Sequence, residues 1–113
     1  LRVLFDKNIP DQLGRFLAGH VVEFAANLGW GELKNGVLLA TAELHKFDVM
    51  ITADQNIKYQ QNLTRRKIAL VVLGSNRWPL LREHIREIQA VVAASRTNSY
   101  SFIEVPLPPK PKV

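Results

Sequence analysis

The chain has 113 residues, 47% of them hydrophobic and 22% charged, proportions that exclude wholesale disorder and fibrous repeats and suit one globular domain. Cysteine is absent, which removes disulfides, thiolate nucleophiles and cysteine-based zinc sites. Fifteen Lys and Arg against ten Asp and Glu leave a formal charge of +5, a balance that favours polyanionic partners such as nucleic acid or an acidic protein.

No apolar run approaches the roughly 20 residues needed to cross a bilayer, and LRVLF is too short for a signal-peptide core. The protein is therefore expected to be soluble and cytoplasmic, with no membrane partner.

Arg2 to Phe5 reads as a strand that ends at Asp6, with a turn through Asn8 and Pro10. Pro10 suits a first helical turn, and Leu13, Phe16 and Leu17 recur at helical spacing until Gly19. His20 to Ala25 offers a second strand, and the glycines around Trp30 suggest a loop. Asn35 reads as the N-cap of a helix that carries Leu38, Leu39, Ala42 and Leu44 inward and ends near Lys46.

Asp48 to Thr52 is a near-continuous apolar run, the pattern of a strand buried on both faces, and it delivers Asp54 just past its end. Gln55 to Leu63 reads as a short helix or turn, and Lys67 to Leu73 as a buried strand broken by Gly74, Ser75 and Asn76. Helical periodicity covers Pro79 to Ala94, and Tyr100 to Val105 makes a last strand.

Alternating strands and helices predict a three-layer α/β/α sandwich with a mostly parallel sheet of about five strands and right-handed crossovers. The domain spans 1–105, and the Pro/Lys-rich stretch 106–113 is expected to form an extended tail. Ligands of such sheets bind outside the carboxyl ends of the strands, where the winding reverses, and Asp6 and Asp54 both lie just past such ends.

If the first and third strands are neighbours, their ends sit about 4.8 Å apart, and both carboxylates can ligate one cation. Two ionised carboxylates that close repel, and a divalent cation removes the conflict. Mg²⁺ or Mn²⁺ is the natural candidate, since both take oxygen ligands and keep waters that a phosphate can displace. A carboxylate-held metal opposite a phosphodiester is nuclease chemistry. The competing reading is that each aspartate caps the helix that follows it.

Taken together, LFDKNIP, LGWGELKNGVLLATA, DVMITADQNIKYQQNL and IALVVL resemble the PIN-like proteins, specifically the compact group known as DUF5615. The resemblance is strongest in the D-x-N-x-P turn from Asp6 to Pro10 and the T-x-D-x-N turn from Thr52 to Asn56. It implies a metal-dependent ribonuclease, a hydrolase of the toxin-like kind found in bacterial toxin–antitoxin pairs. RNA and a cognate antitoxin are then the expected partners, with homodimerisation left open.

Asp6, Asp54 and Asn35 are the catalytic candidates under this resemblance, with Asp6, Asp54 and Glu32 as the metal set. The chain departs from the group at Lys7 and Asn35, where acidic residues are common, so only two carboxylates are supplied outright. Asn35 can still ligate through its carbonyl or hold a water, without adding charge.

Lys7, Asn8, Asn56, Lys58, Arg65 and Arg66 are candidates for substrate contacts, since cations and amides near such a site suit phosphates. Each has a plainer reading as solvated loop or local turn. Two further functions compete. The first is an RNA- or antitoxin-binding module with weak or no catalysis. The second is a receiver-type phosphoacceptor domain, against which stand Lys7 in place of a second acid and Pro106 where a lysine is needed.

Overall fold

The computed structural model describes residues 1–57 and 66–107. Lys58, Arg65 and most of the Gln55–Leu63 segment lie outside the described residues, as do the last six positions of the tail.

Five parallel strands form one sheet: β1 (Arg2–Phe5), β2 (Val21–Phe24), β3 (Val49–Thr52), β4 (Ala69–Leu73) and β5 (Tyr100–Ile103), in the order β2-β1-β3-β4-β5. The chain is thus an α/β protein with helical elements on both faces. Side chains alternate across each strand, so Val3, Phe5, Val49, Ile51, Val71 and Leu73 enter one apolar layer while Leu4, Met50, Leu70 and Val72 enter the other. Every residue of β3 and β4 is buried, which is why both read in the sequence as continuous apolar runs rather than alternating ones.

The first layer is closed by a 3₁₀ helix (Asp11–Phe16) and by two α-helices that follow β4, namely α2 (Trp78–Leu81) and α3 (Ile85–Ala94). Helix α1 (Asn35–Leu44) covers the second layer with Leu38, Leu39 and Ala42. It stops where Lys46 takes φ 66° and Phe47 N–H bonds back to the Ala42 carbonyl at 3.0 Å.

Three details depart from the sequence expectation. The segment after Pro10 winds as a 3₁₀ helix rather than an α-helix. Gly14 lies in its middle, where glycine disfavours the α-helix, and an added Cβ there would stand 3.5 Å from the Phe24 ring. The expected Pro79–Ala94 helix is broken by a 3₁₀ turn at Arg82–His84, with His84 at φ −118°. Finally, β1 to β2 and β4 to β5 both cross the same face while moving in opposite directions along the sheet, so the two connections cannot share the expected right hand.

No helix among the described residues is long and apolar enough to cross a membrane.

Candidate functional site

The winding of the sheet reverses at β1, so its switch point lies between β1 and β3 at the carboxyl edge. Phe5 pairs with Ile51, and the Asp6 N–H continues the ladder to the Ile51 carbonyl at 3.0 Å. Asp6 therefore stands abreast of Thr52, and the buried Thr52 hydroxyl donates to Asp6 Oδ2 at 2.8 Å. The same hydroxyl oxygen accepts the Asp54 N–H at 3.1 Å. One threonine at the end of β3 thus ties both acidic loops together.

Each carboxylate oxygen accepts a hydrogen bond. Asp6 Oδ1 takes the Lys7 N–H at 2.7 Å, Asp54 Oδ1 takes the Asn56 N–H at 2.9 Å, and Asp54 Oδ2 takes the Asn35 side-chain amide. The bond from Asn56 is the local turn expected of an Asp in this setting, so Asp54 serves its own loop while facing the cleft.

Asn35 is not the N-cap of α1. Lys34 holds that place with extended φ −72° and ψ 157°, which makes Asn35 the first helical residue and turns its amide across to Asp54. The start of α1 consequently faces the switch point, carrying backbone N–H groups that have no partner within the helix.

These residues line one open cleft of about 360 Å³: Asp6, Lys7, Asn8, Glu32, Leu33, Lys34, Asn35, Gly36 and Asp54. Asp6 is only 8% exposed at its floor, while Glu32, Lys7 and Lys34 are exposed on the rim. The cleft gathers three carboxylates and two ammonium groups.

Arg66 is not brought to it. The chain leaves the carboxyl edge after β3 and must return to the amino edge to begin a parallel β4, so Arg66 reaches the opposite edge and pairs with Glu43 at 3.6 Å. Asn56 is exposed and enters through its backbone bond to Asp54. Reading the sequence missed Thr52 as the bridge and Lys34 as the second rim cation. A threonine closing the otherwise apolar β3, two residues before an aspartate, was the available signal.

The donor set suits Mg²⁺ or Mn²⁺ in kind. Carboxylate oxygens are hard ligands with a lone pair to spare after one hydrogen bond, and Mg²⁺ is commonly held by one or two carboxylates with waters and a substrate phosphate. Among the described residues no group of three or more His, Asp or Glu is arranged to hold a metal, so the fit rests on Asp6 and Asp54.

The chain matches no family model, no curated protein and no solved structure.

Proposed function

We propose that the chain is a divalent-metal-dependent ribonuclease of PIN-like type, acting as the toxin-like half of a two-protein system. The observation that carries this reading is the pairing of Asp6 and Asp54 through Thr52 at the sheet's switch point, beneath a rim bearing Lys7 and Lys34. Anionic and cationic groups divide the work. Asp6 and Asp54 would hold the metal, while Lys7, Lys34 and the unpaired N–H groups at the start of α1 receive phosphate oxygens.

When bound, the ion lowers the pKa of a coordinated water and offsets charge at phosphorus. The protein's own part is positional. Thr52 fixes Asp6, Asn56 fixes Asp54, and Asn35 holds the outer oxygen of Asp54, so neither carboxylate must be ordered when substrate arrives. Asn8, exposed on the rim, can orient a phosphate or an attacking water through its amide.

A second reading, a binding module with little or no catalysis, is favoured by one contact: the Asn35 amide occupies Asp54 where a further carboxylate would serve a metal better. Incubating the protein with single-stranded RNA and Mn²⁺, with a chelator control, separates the two. Chelator-sensitive cleavage supports the nuclease. Retention of RNA without cleavage supports the binding module.

The receiver-type alternative shares the observed strand order. The chain beyond β5 runs through Glu104, Val105 and Pro106, without the lysine that such chemistry requires. Stable modification of Asp54 by a small phosphodonor is the result that would favour it.

A further inference from the structure

The cleft does not end at Asp54. Asn8 and Asp54 also border a second hollow of about 480 Å³, completed by Gln55 after β3 and by Ser75, Asn76 and Arg77 past the end of β4. On the other side, Asp6 and Lys7 border a third, which adds Asp11 and Phe24. Three hollows thus share lining residues along the carboxyl edge of the sheet, with the acidic pair at the middle.

The two arms differ chemically. The arm toward β2 sets the carboxylates of Asp6 and Asp11 and the Phe24 ring against one cation, Lys7, so its charge is acidic on balance. The arm toward β4 carries amides, a hydroxyl and a guanidinium, and among the described residues its only carboxylate is Asp54 at the junction. Arg77 is exposed and makes no ion pair among the described residues, while its backbone is fixed by an N–H bond to Ser75 Oγ at 3.1 Å.

The turn itself is anchored from both sides. Gly74 N–H bonds to the Ile103 carbonyl at 2.8 Å, and the Gln55 amide donates to the Gly74 carbonyl at 3.2 Å. The β3–β4 ladder closes at Thr52 and Val72, and the Gln55–Gly74 bond holds the loop that carries Asp54 beside the turn after β4.

We propose that Ser75, Asn76 and Arg77 form a second phosphate subsite, which holds the backbone of a single-stranded RNA beside the phosphate placed at Asp6 and Asp54. The assignment rests on the ribonuclease reading above and extends it. Substrate runs from the rim of Lys7 and Lys34 across the acidic pair toward β4, and Arg77 is a substrate-positioning residue. Contacts of this kind bind the backbone without selecting a base, so the subsite contributes affinity and register rather than sequence preference.

The test is fluorescence anisotropy with a fluorescein-labelled oligouridylate in chelator, so that binding is read without cleavage, repeated across a salt series. Arg77→Gln should weaken binding several-fold and lower the slope of log affinity against log salt by about 0.7, the loss of one phosphate contact on a single strand. Arg77→Lys should keep the slope. Arg96→Gln, which removes a cation at the amino edge before β5, should change neither quantity. An unchanged slope in Arg77→Gln, or an equal loss in Arg96→Gln, overturns the subsite while leaving the ribonuclease reading intact. Failure of the unmodified protein to bind the strand in chelator also overturns the subsite, while chelator-sensitive cleavage with Mn²⁺ decides the ribonuclease reading separately.

Discussion

Thr52 donates its hydroxyl to the Asp6 carboxylate at 2.8 Å, with Thr52 wholly buried and Asp6 nearly so. The bond spans neighbouring strands and orients Asp6, while the same oxygen receives the Asp54 amide. Replacing Thr52 with valine keeps the shape and removes both interactions. A buried hydrogen bond to a charged group contributes about 2 kcal/mol. The variant should therefore melt roughly 8 °C lower, and Thr52→Ser should recover most of the loss. Equal melting temperatures for the threonine and valine forms would mean that water replaces the hydroxyl at no cost.

Asp54→Asn should end metal-dependent RNA cleavage and change stability by less than about 1 kcal/mol, because the amide keeps an oxygen for the Asn56 N–H. Circular dichroism melting beside the cleavage assay checks both halves. An unfolded variant would mark Asp54 as chiefly structural.

Asn35→Asp exchanges a donor facing Asp54 for a second anion. Without a divalent ion the variant should be less stable than the parent. With Mn²⁺ it should gain more in melting temperature than the parent does, because added negative charge strengthens binding of the ion and binding to the folded state stabilises it. Titration calorimetry gives the affinities directly. Unaltered or weaker Mn²⁺ affinity would confine Asn35 to a structural role at the start of α1.

Gly74→Ala tests the anchoring of the turn after β4. A Cβ there would stand 2.9 Å from the Val105 nitrogen and 3.2 Å from the Ile103 carbonyl oxygen, both backbone atoms, so the end of β5 must move aside. The expected cost is about 1–3 kcal/mol, read as a lower urea midpoint with an unchanged slope. Stability equal to the parent's would show that the chain after β5 yields freely.

The sheet was legible because β1, β3 and β4 bury both faces and announce it as short apolar runs. The acidic pair was legible because each aspartate follows such a run directly. What escaped was whatever depends on direction through space. Leu81, Ile85, Ile88 and Val92 keep one helical spacing whether the helix is straight or broken at His84, so the pattern could not reveal the break. Arg66 is close to Asp54 in sequence, yet a parallel return carries it to the far edge of the sheet. Asn35 has the side chain of a good N-cap, but Lys34 takes the extended conformation, and tertiary contact with Asp54 decides where the amide points.

β1 is flanked by β2 and β3, and Asp6, just past its end, bonds to Thr52 across 46 positions of sequence. A chain leaving the ribosome displays Asp6 before Thr52 and Asp54, which it lacks until β3 has been made. Loop closure on that scale is slow relative to local helix formation, so the groove cannot preassemble from a fragment. It comes into being with the central pairing of the sheet. The Asp6 amide, bonded to Ile51, should accordingly exchange its hydrogen only when that pairing opens, which makes one backbone proton a clock for assembly of the whole cleft.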